Sequence, residues 1–182
     1  MIFRISIEPP PNLKEIVSKL GNISAGKLEQ AAKRAVRRTL RGGRQDASRK
    51  IAQRYTIRAG VVIKTIKLSQ SGLSGAMTSS GSVNPLRLFK LRPRSRPKRM
   101  PKGGVYVQNV KGQGGYIRQG FLSKSGTVLT RVGRSRYPIK PHAGPSSPGM
   151  LSKVGPDIES KMFQRLQINL DHELAAVIGG FA

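Results

Sequence analysis

Few residues in this sequence could do covalent or metal chemistry. The two histidines, His142 and His172, lie far apart, and neither has a second His or a Cys close by. A metal site needs three or four such donors at short spacing, so both are expected to be ordinary polar or helix-surface side chains. There is no Cys, which excludes disulfides and thiolate metal sites and leaves the compartment unread from redox chemistry. Asp171 adjoins His172, but no nucleophile accompanies them. With 8 carboxylates in the chain and none between Ala47 and Pro156, little is left for a pair doing general acid and base work. The glycine-rich stretches do not match G-x-x-x-x-G-K-[ST]. "KGQGGYIRQG" fails G-x-G-x-x-G because Ile117 stands where the third Gly belongs, and a hairpin turn accounts for it better. No catalytic residue, cofactor-binding residue or metal ligand is therefore expected, and the chain does not read as an enzyme.

What the chain does carry is positive charge. Lys and Arg number 34 against 8 acidic residues, a net +26. Residues 1–46 hold ten basic and four acidic groups, residues 47–156 hold twenty-two basic groups and no acid, and residues 157–182 hold two basic and four acidic groups. An acid-free stretch of that length cannot neutralise itself, so a polyanion or an acidic partner should supply countercharge. Nucleic acid is the usual one, and an acidic protein surface is the alternative. The densest segment is "RPRSRPKRMPKGG", Arg92 to Gly104. Its candidate contacts to DNA or an acidic partner are Arg92, Arg94, Arg96, Lys98, Arg99 and Lys102. A second set lies on a helix face: Arg34, Arg37, Arg38 and Arg41, with Lys33 and Arg44 beside them. The plain alternative for that face is solvation. No zinc finger or RNA-recognition signature is present, and only nine residues are aromatic. Contact should therefore be with phosphate backbone, independent of base sequence and sensitive to salt.

These cations need elements to hold them. "IFRISIE" alternates, with Phe3, Ile5 and Ile7 on one face, and predicts a half-buried strand. Asn12 and Glu15 resemble a capping box opening a short helix that stops at Gly21. Ser24 caps a long helix from about Ala25 to Tyr55, roughly 45 Å at 1.5 Å per residue. Its stripe is Leu28, Ala32, Ala35, Thr39, Gly43, Ala47, Ile51 and Tyr55, so a packed neighbour could approach closely. The Gly42–Gly43 pair leaves open a continuous helix or a kink. Thr56 is expected to cap a short helix in "IRAGVVIKTI", followed by a strand in "IKLSQS". "GLSGAMTSSGSVNP" reads as a bulged strand or a loop, and "LRLFKL" alternates again. Prolines favour an extended arm over residues 92–104. Val105–Val110, Tyr116–Leu122 and Thr127–Val132 then predict a meander, with "KGQGG" and "SKSG" as turns. A final helix is expected to start with Pro156 at its first position, to bury Ile158, Met162, Leu166, Leu170, Leu174 and Val177, and to stop at Gly179.

The order predicts an α+β fold in one domain over residues 1–182, an antiparallel sheet or meander packed by a long N-terminal helix and a C-terminal helix. Residues 1–21 form its N-terminal strand and short helix, and residues 92–104 a long basic loop. MIFRISIEPP lacks the basic-then-apolar order of a signal peptide. The apolar run near Leu174–Ile178 is too short to cross a bilayer. A soluble, non-secreted protein is expected.

One stretch carries a resemblance. "TRVGRSRYPIKPHAGPSSPGMLSK", Thr130 to Lys153, is similar to the signature of the phage and prophage minor tail protein Z family, also called tail completion proteins. The matching residues are Arg136, Pro138 and Ile139, then Gly144, Pro145, Ser146, Pro148 and Met150. The layout also resembles the family over residues 25–178, with "RYTIRAGVVIKTIKL", "VNPLRLFKL" and "YIRQGFL" in corresponding places. Residues 1–21 are less well covered.

The resemblance implies a structural virion protein with no catalytic residues, at the head-proximal end of the tail, assembled in the host cytoplasm. It implies a homo-oligomeric ring, a hexamer by tail symmetry, which completes the tail and helps place the genome end in the channel. Its partners would be itself, neighbouring tail and neck proteins, and genomic DNA by backbone contact. Within the signature, Arg136–Met150 would either hold the local fold or dock on a neighbouring tail protein. The arm would face DNA or brace an acidic neighbouring subunit. Two other readings compete. A non-specific nucleic-acid-binding protein, ribosomal or nucleoid-like, fits the charge equally. A membrane-active protein needs bulky apolar residues opposite its cations, where the long helix offers mostly Ala, so no membrane partner is expected.

Overall fold

The computed structural model of the chain describes residues 1–8, 25–99 and 101–179. The expected helix at Asn12–Gly21 and the Ser24 cap lie outside the described residues. The contacts divide the chain into two compact units. One, here the helix-rich unit, comprises Ile2–Ala47, Ile66–Ser79 and Leu151–Ala182. The other, the sheet unit, comprises Met1, Ser48–Thr65 and Ser80–Met150. The architecture is α+β with antiparallel strand pairs, as the element order predicts.

The helix-rich unit contains strand β1 (Ile2–Ile7), most of helix α1 (Ala25–Arg54), the hairpin of β2 (Ile66–Ser71) and β3 (Ser74–Ser80), and most of helix α3 (Ser147–Ile178). Its sheet order is β1-β3-β2. The alternation of β1 buries Ile5 and Ile7 and leaves Arg4 and Ser6 outside. The stripe of α1 is buried as its spacing predicts, from Leu28 through Ala32, Ala35, Thr39 and Ala47. The helix runs unbroken through Gly42 and Gly43, which serve close approach instead of a break. A Cβ on Gly43 would stand 2.5 Å from Met162 Sδ, and one on Gly42 would stand 2.2 Å from Arg165 Nη1. Met162 and Arg165 belong to α3, so the small-residue stripe is where the two helices meet. Likewise Gly75 of β3 lies under Leu40 and Val36, and Gly155 of α3 lies under the Phe3 ring.

The start of α3 corrects the expectation. The helix begins at Ser147, so Pro156 lies inside it instead of at its first position. The local reason is a cap: the Gly149 N–H donates to Ser146 Oγ at 3.2 Å, satisfying a first-turn donor that has no helical partner. Pro148 occupies the first turn, where a missing N–H costs nothing. Pro156 does remove one interior hydrogen bond, and it is exposed. The stripe beyond it is buried at Ile158, Met162, Leu166, Leu170 and Val177, with Leu174 half-buried.

The sheet unit holds a short helix α2 (Ala59–Ile63) and the remaining strands. These are β4 (Val83–Pro85), β5 (Lys90–Arg92), β6 (Val105–Val110), β7 (Gln113–Ile117), β8 (Phe121–Leu122), β9 (Val128–Arg131) and β10 (Ile139–Ser146). They form two sheets, β4-β10-β9-β8 and β5-β6-β7. The expected meander is thus divided: β6 pairs β7 in one sheet and β8 pairs β9 in the other. Side chains from both sheets share one core of Leu86, Leu91, Val105, Leu122 and Val128. "LRLFKL" is not one strand, because a 3-10 turn at Leu86–Leu88 precedes β5. Thr56 does not cap α2, whose N-cap is Arg58 without a side-chain bond. Instead Thr56 Oγ1 donates to the Gln108 carbonyl and accepts from the Lys90 N–H at 3.0 Å, tying the end of α1 to β5 and β6.

Candidate functional site

Charge is distributed unequally between the two units. The sheet unit carries 20 of the 34 Lys and Arg residues and none of the 8 carboxylates. No intramolecular carboxylate within that unit can pair with its cations. Strand pairing gathers several of them. An open cleft of about 950 Å³ is lined by Arg58, Arg87, Lys90, Arg92, Arg94 and Lys111, together with Thr56, Gln108 and apolar residues. Of these six cations only Arg92 and Arg94 stand in the dense basic segment. The others come from the start of α2, the 3-10 turn, β5 and the β6–β7 turn. They were missed because proximity here follows from register, Lys90 opposite Gln108 and Arg92 opposite Tyr106, which no local pattern displays.

The basic segment 92–104 connects two strands that are partners in one sheet, β5 and β6. Bends at residues 93–95 and 98–99 replace the extended form expected from its prolines. Arg92, Arg94, Arg96, Lys98, Arg99 and Lys102 are all exposed. They do not form one row. Arg92 and Arg94 line the large cleft, whereas Arg96, Lys98 and Lys102 line a second one of about 440 Å³ beside Phe121 and Arg131. The Arg131 guanidinium lies over the Phe121 ring at 5.2 Å from its centroid. The segment therefore folds back along the sheet unit.

The arginine face of α1 is different in kind. Arg34 Nε donates to Glu173 Oε2 at 2.7 Å, and Arg38 Nη1 forms an ion pair with Glu173 Oε1 at 2.7 Å. Glu173 is nearly buried, on α3, and is the acidic neighbour of these two arginines. Arg37 Nε donates to Gln70 Oε1 at 3.4 Å, and Arg41 is exposed. Arg165 Nη2 and Asp46 Oδ2 add a further pair at 2.8 Å. Asn169 Nδ2 donates to Thr39 Oγ1 at 2.9 Å, and that hydroxyl donates to the Ala35 carbonyl. Sequence separation hid these partners, since Glu173 lies 139 residues from Arg34.

The signature residues fall on the β9–β10 turn, on β10, and on the first turn of α3. Arg136 is exposed, with its guanidinium 5.9 Å from the Tyr137 ring centroid. Pro138 follows a cis peptide and its carbonyl accepts from Val132 N–H at 3.1 Å. Ile139 pairs with Arg131. Gly144 lies in β10. Its Cβ would stand 2.4 Å from Phe89 Cε2, so glycine is required by the ring. Register shifts between Gly144 and Ser146, which places Pro145 at an irregularity where no ladder N–H is needed. The Pro145 carbonyl accepts from Asn84 Nδ2 at 2.7 Å, and Asn84 also reaches Ser147 Oγ at 3.2 Å. Ser146 caps α3, Pro148 is buried in its first turn, and Met150 is fully buried.

His142 Nε2 shares a 2.8 Å hydrogen bond with Thr130 Oγ1 across β9 and β10, and His172 is exposed on α3. Among the described residues no group of three His, Cys, Asp or Glu side chains could hold a metal ion, and no helix is long and apolar enough to cross a membrane.

Residues 12–178 match the prophage minor tail protein Z family, and the chain belongs to that family. It is a structural phage tail protein and not an enzyme. No curated protein and no solved structure matches the chain.

Proposed function

We propose that this tail protein forms a homo-oligomeric ring, a hexamer, at the head-proximal end of the tail. There it completes tail assembly and helps position the genome end, with assembly taking place in the host cytoplasm. Its partners would be further copies of itself and neighbouring tail and neck proteins. The sheet unit would contact genomic DNA through backbone phosphates, using Arg92 and Arg94 with the other cations of the large cleft. Arg96, Lys98, Arg99 and Lys102 would serve the same polyanion or brace an acidic subunit. Arg37 and Arg41 remain candidate contacts on α1, while Arg34 and Arg38 are already engaged by Glu173. The signature from Arg136 to Met150 would keep the strand-to-helix junction in shape and so present the adjoining turn to a neighbour.

The observation that carries this reading is the acid-free cleft of six cations in a unit with 20 basic residues and no carboxylate. Such a surface attracts a polyanion and lacks internal countercharge. A salt titration of duplex DNA binding tests it. For six phosphate contacts the slope of log K against log salt is about −5, a loss of about a thousandfold between 50 and 200 mM salt. An affinity unchanged across that range would remove the phosphate contact.

A further inference from the structure

We propose that the outer face of the β5-β6-β7 sheet takes single-stranded nucleic acid, with an unpaired base stacked on Tyr116 and the adjoining phosphates at Lys90 and Arg92. This rests on the nucleic-acid contact proposed above and names its chemistry. Strand alternation divides the sheet. Leu91, Val105, Val107 and Ile117 turn to the core, which puts Lys90, Arg92, Tyr106 and Tyr116 on the opposite face. Register then aligns three of them, with Arg92 opposite Tyr106 and Tyr106 opposite Tyr116. At a strand spacing of about 4.8 Å the row from Arg92 to Tyr116 spans roughly 10 Å.

Tyr116 is 65% exposed, a costly position for an aromatic ring, yet its pose is braced. Tyr106 meets it edge-on, with centroids 5.2 Å apart and planes at 65°. Tyr106 is held in turn over Gly114, where any Cβ would collide with its hydroxyl at 2.0 Å. Gly103 lies along the Tyr116 ring. Beside the pair is a cleft of about 420 Å³ bounded by Pro93, Pro101 and Gly104, with Lys90 and Arg92 on its wall and no carboxylate. Lys90 and Arg92 also line the large cationic cleft, so the two are contiguous.

A fixed exposed aromatic beside cations is the pairing that binds unpaired strands, since every base has a π-face and the stacking is sequence-tolerant. A duplex offers phosphates to the cations but keeps its bases stacked on each other. An acidic peptide would satisfy the cations and leave Tyr116 without a planar partner.

The test uses the full chain, a mixed-sequence single-stranded 12-mer and the same sequence as a duplex, at low salt. Tyr116→Ala should weaken single-strand binding about tenfold or more and leave duplex binding within about twofold. Tyr116→Trp should retain both, and an unchanged melting midpoint confirms that each variant is folded. Wild-type single-strand affinity in Tyr116→Ala overturns the proposal while leaving the duplex contact standing. Failure of the wild-type chain to bind either form removes both readings. An acidic peptide that loses affinity on Tyr116→Ala, when the oligonucleotide does not, assigns the face to a protein partner and overturns it as well.

Discussion

Gly144→Ala is the sharpest probe of the strand-to-helix junction. The added Cβ would lie 2.4, 2.9 and 3.1 Å from three atoms of the Phe89 ring. Carbon atoms rest about 3.5–4.0 Å apart, so the ring or the strand must move by about 1 Å. Neither is free to do so. Phe89 is 4% exposed, and β10 is tied to β4 by pairing and by the Asn84 bond to the Pro145 carbonyl. Overpacking of this kind costs about 1–3 kcal/mol. For a chain of this size that lowers the melting midpoint by about 2–12 °C. The assay is thermal and urea denaturation of the purified chain, repeated with Phe89→Leu and with the double variant. Phe89→Leu alone should cost about 1–2 kcal/mol through lost packing. The double variant should be more stable than the sum of the two losses by about 1 kcal/mol or more, because the smaller side chain gives the methyl room. Wild-type stability of Gly144→Ala, or strictly additive losses, would refute the contact as the reason for glycine.

Ser146→Ala removes the oxygen that accepts from Gly149 N–H and should destabilise the chain by about 1 kcal/mol, read by urea denaturation. The Glu173 cluster should respond asymmetrically. Arg34→Ala with Arg38→Ala strands a nearly buried carboxylate and should cost about 3–5 kcal/mol. Glu173→Ala leaves two arginines that water already reaches and should cost less, about 1–2 kcal/mol; equal losses in denaturation would contradict this. Replacing Arg92, Arg94, Arg96, Lys98, Arg99 and Lys102 with Gln should leave the melting midpoint within a few degrees, since all are exposed. It should reduce the salt slope of DNA binding and lower infectivity, and a wild-type titre would make the segment a plain connector.

Local periodicity made much of the fold legible. The β1 alternation, the thirty-residue α1 and the buried stripe of α3 all follow from spacing. The small residues of the α1 stripe, Gly43 among them, pointed to close packing, but the Gly42–Gly43 pair left a kink open, and only the fold supplies Met162 and Arg165 as the neighbours. Where two local signals competed, the reading failed. Pro156 looked like a helix start because proline suits the first helical position, but the Ser146 cap ten residues earlier opens the helix. Thr56 looked like a cap and is a strand tie. The candidate site was half visible. Charge density exposed Arg92 and Arg94, but not Arg58, Arg87, Lys90 and Lys111, which converge through antiparallel register. Nor could it separate Arg34 and Arg38, which Glu173 engages, from Arg41, since all three are exposed on one helix face.

Imaging assembled particles that carry a labelled copy of this chain tests the central proposal most directly. The account predicts a closed ring of copies at the head-proximal end of the tail, with the acid-free sheet unit turned toward channel DNA. Density for the chain elsewhere in the tail, or an acidic subunit filling the cleft of Arg58, Arg87, Lys90, Arg92, Arg94 and Lys111, would contradict it.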